Sequence, residues 1–234
     1  MDQQTFQLPD IERLIEEIEA EGFVRIPGFV SREELGRAQD AVRQRLSGNG
    51  GESVMVAGEE PTAAMLPAMK RAEQIGREIC SRVAIATVEP HSSYPIIRCL
   101  GGRSIGAHSL LFHYDSNVVT ALIPVIMPAK GRTGDLILLP NRRPLRSHYA
   151  RNLVDKFTVD NPLSQWLRRG LYARRSSRLR RLRLSPGDLY LFWGYRSLHT
   201  NEAVDEGEVR STAIVHCGPV HRDSRLRRLL GRRA

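Results

Sequence analysis

Cysteine is scarce in this 234-residue chain: Cys80, Cys99 and Cys217 are odd in number, widely separated and without a CxxC pair. A disulfide framework and a zinc ribbon are therefore excluded, and small buried thiols are expected. Long apolar runs are also missing. The best candidate, "ALIPVIMPA", is far shorter than the roughly 18 to 20 residues a spanning helix needs, and it carries two prolines. The opening "MDQQTFQLPDIERLIEEIEAEG" is acidic and lacks the apolar stretch of a secretory signal or the basic character of a transit peptide, which predicts a soluble, cytoplasmic protein. Acid is absent from one long segment. Trp166–Arg183 holds eight arginines and no Asp or Glu, and residues 221–234 hold six arginines against one Asp. The formal charge of +9 is concentrated in these two stretches, and the rest of the chain is net acidic. Such local basicity attracts phosphate, acyl-CoA, an anionic membrane surface or nucleic acid, although an arginine-rich solvated surface leaves the same trace.

What is present begins with helices. Ile11, Leu14, Ile15 and Ile18 share one helical face, with Asp10 as N-cap and Gly22 as the stop. Ser31 and Glu34 have capping-box spacing, and Val30 and Leu35 stand where a hydrophobic staple would, predicting a second helix over about 32–46. Met65, Met69, Ala72, Ile75 and Ile79 predict a third over about 61–81. From Val83 the texture changes to short β-type runs ("VAIATV", "PIIRCL", "SIGAHSLLFHYD", "VVTALIPVIM", "DLILLP", "DLYLFW", "VRSTAIVHC") separated by turn signals. This is an α+β pattern with a sandwich, jelly roll or barrel core rather than a parallel sheet. The expected organisation is a single domain over 1–234, with N-terminal helices (about 8–81), a β core (about 83–220), an arginine-rich insertion (about 141–184) and a basic tail (about 221–234). An insertion of that length is usually a lid, a binding element or partly disordered.

The stretch "LFHYDS" places His113 and Asp115 two apart in an apolar setting, so both project from one face while Tyr114 points away. A buried carboxylate costs several kcal/mol, roughly, unless a cation or hydrogen bonds answer it. His199 follows a later strand, and a jelly roll brings such distant strands face to face. Two histidines and one carboxylate with open positions form the facial triad of non-haem Fe(II) oxygenases. Arg210, eleven residues past His199, either grips a carboxylate bidentately or pairs with Glu208 or Asp205 at the surface; Thr212 shares its strand face. His108 and His216 are expected to pack or hydrogen-bond rather than ligate, and Arg98 and Tyr94 lie on a strand whose orientation the sequence does not fix.

Together these residues resemble the Fe(II)/2-oxoglutarate-dependent dioxygenases, most closely the phytanoyl-CoA dioxygenase branch. The resemblance rests on "EGFVRIPGFVSREELGRAQDAV", His113-Tyr114-Asp115, "GDLILLPNRRP", "SPGDLYLFWGYRSLH" and Arg210, and it spans most of the chain. It implies a double-stranded β-helix (a cupin-like jelly roll), with His113, Asp115 and His199 as catalytic iron ligands and Arg210, helped by Thr212, on the distal carboxylate of 2-oxoglutarate. The implied cofactors are Fe(II), 2-oxoglutarate as cosubstrate and dioxygen, giving succinate and CO2. A small-molecule substrate, anionic or acyl-linked, is expected. Asp115 occupies the position that related halogenases vacate for halide, which favours hydroxylation or desaturation over halogenation. Two rival readings stay open: an oxidative nucleic-acid demethylase, weakened because the AlkB-like branch carries a second arginine where this chain has His216, and a non-catalytic cupin-like metal-binding scaffold.

Overall fold

The computed structural model describes residues 7–48, 54–56, 61–83, 88–89, 91, 93–100, 109–145, 161–173 and 178–220. His108, most of the expected strand "VAIATV", the side chain of Tyr94 and the basic tail 221–234 lie outside the described residues. Helix α1 (Ile11–Glu21) begins where the Asp10 side chain accepts from Arg13 N–H (3.2 Å) and ends where Gly22 N–H returns to Ile18 O (3.0 Å). Its buried face is Ile11, Leu14 and Ile18, with Ile15 packed beside them. Strand β1 (Val24–Ile26) leads into α2 (Arg32–Gly48) through the expected capping box: Glu34 N–H donates to Ser31 Oγ (3.2 Å), and Ser31 N–H donates back to Glu34 Oε2 (3.2 Å).

Burial alone would raise the Glu34 carboxyl, but Arg71 and the Ser31 N–H overcome it and hold it below the usual range. A depressed folded-state pKa adds stability that is complete above the unfolded value, about 4.3, and is lost as pH falls through the folded one. Glu34→Gln should lower neutral-pH stability by about 1 kcal/mol. In urea titrations the gap to wild type should close below that window.

Helix α3 (Pro61–Val83) buries the five residues its periodicity marked, Met65, Met69, Ala72, Ile75 and Ile79. The strands that follow are β2 (Val54–Val56, ahead of α3), β3 (Ser93–Leu100), β4 (Asn117–Ile126), β5 (Leu136–Leu139), β6 (Arg180–Leu182), β7 (Leu189–Phe192), β8 (Leu198–Asn201) and β9 (Arg210–Pro219). They form a six-stranded sheet, β1-β7-β4-β9-β3-β2, and a three-stranded sheet, β6-β5-β8, with every pairing antiparallel. Alternation sorts the larger sheet cleanly. Ala121, Ile123, Leu191, Ala213 and Val215 join the core under the three helices, whereas Leu122, Tyr190, Phe192 and Ile214 face the smaller sheet and pack with Leu136 and Leu138. Because β4 is covered on both faces, it reads as a nearly continuous apolar run.

Some expectations need correction. Val83 ends α3 instead of opening a strand. The three-residue strands β2 and β6 are too short to show a period, and the insertion supplies both β6 and a further helix, α4 (Pro162–Ala173). The "LLFHYD" segment is extended but is no ladder: Leu110 N–H bonds Asn201 O (2.9 Å), while His113 and His199 exchange both backbone bonds (3.0 Å each). Three residues on one side therefore span two on the other, and Leu110 turns through φ +54° to take up the extra one. The three cysteines are buried free thiols, as expected, and burial pushes Cys217 up to about 12.

Candidate metal centre

The reciprocal backbone pairing of His113 with His199 sets their imidazoles side by side, ring centroids 4.4 Å apart and planes tilted by 54°. Asp115 reaches the same space from the end of its segment, where its N–H is held by Gly194 O (3.0 Å). One donor atom from each of His113, Asp115 and His199 lies within 4.8 Å of the others, so the three residues singled out in sequence converge. His199, expected after a strand, sits within β8 and is buried, with Phe192 edge-on at 4.9 Å. Tyr114 points away, as alternation demands, and packs by Arg143, whose guanidinium lies 4.0 Å from its ring centre.

Both histidines are oriented alike. His113 Nδ1 lies 3.0 Å from Leu111 O and His199 Nδ1 lies 3.0 Å from Ser197 O. A carbonyl can only accept, so each Nδ1 carries a proton and each ring turns its Nε2 to the centre. Those Nε2 atoms face Asp115 at 3.8 Å (Oδ1) and 3.5 Å (Oδ2). Lone pairs turned toward a buried carboxylate repel unless a proton or a metal cation stands between them. The donor set, two imidazoles and a carboxylate, suits Fe(II).

The electrostatics agree with that requirement. Burial pushes the Asp115 carboxyl up, but His199, His216 and His113 outweigh it and hold Asp115 well below the usual carboxylate range. Burial works against a charge on His199 as well, yet Asp115 raises its basicity overall. The His113 side chain keeps about half its surface open (48%). Crowding around its ring still lowers its basicity, the neighbouring His199 charge adding to the effect.

Two further residues position the carboxylate. Thr120 donates its hydroxyl to Asp115 Oδ2, and His216, directly opposite Thr120 in the β4–β9 register, sets Nδ1 3.3 Å from that hydroxyl and 3.6 Å from Oδ2. His216 thus hydrogen-bonds beside the centre, as expected. Thr120 was not foreseen, since only the cross-strand register brings it to Asp115. Gly194 is required for space. A Cβ there would stand 2.1 Å from Thr120 Oγ1 and 2.5 Å from Asp115 Oδ2. Gly194→Ala should therefore displace the carboxylate and weaken Fe(II) binding by about 10- to 100-fold, the range for a lost orienting partner. Isothermal titration with the metal measures it directly.

Arg210 and Thr212 lie on the inner face of β9, as alternation predicted, and both are buried. Asp205 pairs with Arg132 (2.7 Å) rather than with Arg210, and among the described residues no salt bridge joins Arg210 to a carboxylate. Arg210 Nε donates to Gly134 O (3.0 Å), and Gly134 (φ +72°) leaves the room: a Cβ would lie 2.5 Å from Arg210 Cδ. Burial, together with the nearby Arg98 charge, lowers the Arg210 guanidinium to about 10. Thr212 Oγ1 is buried without a hydrogen-bond partner. Arg98, opposite Thr212 across β3–β9, shares this inner face. A buried guanidinium and an orphaned hydroxyl on one strand face fit a carboxylate ligand.

No family model matches the chain, and no curated protein matches it. Solved structures do. The carbocyclase SnoK, a non-haem α-ketoglutarate-dependent enzyme of nogalamycin biosynthesis, superposes with a TM-score of 0.58 at 17% identity, covering 95% of this chain and 94% of its own. EvdO2 from Micromonospora carbonacea var. aurantiaca, complexed with 2-oxoglutarate, gives 0.58 at 16% identity over 92% of each chain. A Trichoplax adhaerens prolyl hydroxylase in complex with a hypoxia inducible factor peptide gives 0.59 at 12% over 89% of each. The chain has the double-stranded β-helix fold of the iron- and 2-oxoglutarate-dependent oxygenases, with helices flanking it.

Proposed function

We propose that this chain is a non-haem Fe(II)- and 2-oxoglutarate-dependent oxygenase, similar to the phytanoyl-CoA dioxygenase branch, that hydroxylates a small molecule or an acyl-type substrate. The observation that carries the reading is the convergence of His113, Asp115 and His199 in the same sheet interior as the buried pair Arg210 and Thr212. His113 and His199 would hold iron through Nε2 and Asp115 through its carboxylate, while Arg210 would grip the distal carboxylate of 2-oxoglutarate with Thr212 donating its hydroxyl. Iron bound there supplies dioxygen activation coupled to decarboxylation of the cosubstrate. The protein's own part is orientation: Thr120 and Gly194 fix the carboxylate, Leu111 O and Ser197 O fix the imidazoles, and the walls of Leu122, Tyr190 and Phe192 keep water away. Neighbours of this fold include a carbocyclase and a hydroxylase, so the fold alone leaves the outcome open. Retention of Asp115 favours hydroxylation over halogenation.

The test is release of labelled CO2 from 1-labelled 2-oxoglutarate by the Fe(II)-loaded protein, screened with acyl-CoA, fatty-acid and small carboxylate substrates. A slow background stimulated by one class supports the reading. No release in any mixture, with iron bound, contradicts it. Thr212→Val sharpens the test because its two effects have opposite signs. Removing an unsatisfied buried hydroxyl should raise stability by about 1 kcal/mol, while 2-oxoglutarate affinity falls about 5-fold for the lost hydrogen bond. Thermal melting and cosubstrate titration read the two effects.

A further inference from the structure

The helix α4, "PLSQWLRRGLYA", places Leu163, Trp166, Leu167 and Leu171 at i, i+3, i+4 and i+8, one stripe along a helix. A surface helix normally turns such a stripe toward the core. Here the polar face is turned inward instead. Gln165 Nε2 donates to Phe112 O (2.7 Å) and its Oε1 accepts from Phe112 N–H (3.0 Å). Arg169 Nε donates to Leu110 O (3.2 Å), and the Tyr172 hydroxyl donates to Glu202. No residue of α4 is buried, and Leu163, Trp166 and Leu167 are 66%, 68% and 54% exposed. With Leu171, and with Leu111 on the segment α4 straps, they account for five of the seven exposed large apolar side chains among the described residues. This is a patch, not the usual scatter.

Its surroundings select the occupant. Arg168 and Arg169 lie on α4, and the stretch Trp166–Arg183 carries eight arginines with no acid. Among the described residues Arg180 faces Glu21 (3.8 Å), and Arg181 bonds Asp135 and Glu202 (2.9 Å each), three carboxylates set against eight arginines in the stretch. The segment keeps a positive excess. A nucleic-acid duplex would meet the guanidiniums but offers no medium for three leucines and a tryptophan. A second copy would set arginine against arginine. An anionic bilayer satisfies both, with phosphates for the arginines and acyl chains for the stripe.

We propose that α4 is a membrane-surface docking helix that lays Leu163, Trp166, Leu167 and Leu171 into the headgroup layer of an anionic bilayer, with neighbouring arginines on lipid phosphate. No described helix is long and apolar enough to cross a membrane, so α4 lies in the surface. Through Gln165 it is bonded to Phe112, next to His113, so docking would set the segment that carries His113 beside the bilayer. That consequence rests on the acyl-substrate reading; the docking itself does not.

The two tryptophans make the test selective, because Trp193 is 1% exposed and only Trp166 meets solvent. The full-length protein is titrated with phosphatidylcholine vesicles, with and without phosphatidylglycerol, following tryptophan emission. The expected result is a blue shift with phosphatidylglycerol only, weakened by salt, and a vesicle affinity at least about tenfold lower in Leu163→Ser/Leu167→Ser. Lipids brominated in their acyl chains should also quench Trp166 in the wild-type protein, which needs no variant to fold. Absence of shift and quenching overturns the proposal. So does vesicle binding that the double substitution leaves intact, which would move the contact elsewhere. A shift with an oligonucleotide duplex but not with vesicles reassigns the helix to nucleic acid, and a concentration-dependent shift without lipid reassigns it to a second copy. The readout needs neither iron nor turnover, so its failure and the failure of the oxygenase reading are separate results.

Discussion

Replacing His113 with alanine should lower Fe(II) affinity by more than about 100-fold, beyond the usual cost of losing a residue that only orients a ligand, and should end 2-oxoglutarate decarboxylation. The reason is the count of donors. Two imidazoles and Asp115 face one space, and without His113 only two protein donors remain there. His113 makes the clean test because its side chain is half-open and belongs to a single bridge, so the fold should survive the change. His199→Ala should abolish metal binding equally but at a cost in stability, since His199 is buried against Phe192 within β8. Equilibrium dialysis against Fe(II), with thermal melting of the metal-free proteins, separates the two effects. Wild-type affinity in His113→Ala would remove that residue from the centre.

Replacing Arg210 with alanine should leave Fe(II) affinity near wild type and weaken 2-oxoglutarate by on the order of 100-fold, about 3 kcal/mol for a bidentate, charge-assisted pair. Here the argument runs through desolvation. Arg210 is buried, its basicity is lowered to about 10, and its Nε is already committed to Gly134 O. The guanidinium bears that burial cost with no salt bridge among the described residues, and an incoming carboxylate repays it. Arg210→Lys keeps the charge but loses the planar fork, so it should fall between the two. A KM for 2-oxoglutarate that rises while iron titration stays unchanged is the expected pattern. Equal loss of both affinities would mean that Arg210 holds the sheet rather than the cosubstrate.

Residue types and alternation showed much of this site in the sequence. His113 and Asp115 share a face because they are two apart; Arg210 and Thr212 do so for the same reason, and the covered strand β4 is apolar apart from Asn117 and Thr120. The parts that stayed hidden depend on register between strands far apart in sequence. Thr120 meets His216 and Asp115 only through the β4–β9 pairing, and Gly194 matters because Asp115, hydrogen-bonded to its carbonyl, and Thr120 fill the space a Cβ there would take. His199 looked like a residue beyond a strand because β8 is four residues long and shows no period of its own. In the insertion, the stripe of α4 is legible as an amphipathic helix. Its orientation is not, because Gln165 and Tyr172 find their partners on distant segments and turn the apolar side outward.

The central claim, a chelating cosubstrate held between the His113–Asp115–His199 centre and Arg210, is tested most directly by an anaerobic titration. Metal-free protein receives Fe(II) and then 2-oxoglutarate while the visible charge-transfer band of the bidentate complex is followed, with Arg210→Ala alongside. The account predicts a band that needs both components, saturates, and in the variant requires far more 2-oxoglutarate. Bound iron with no band at any 2-oxoglutarate concentration would contradict it.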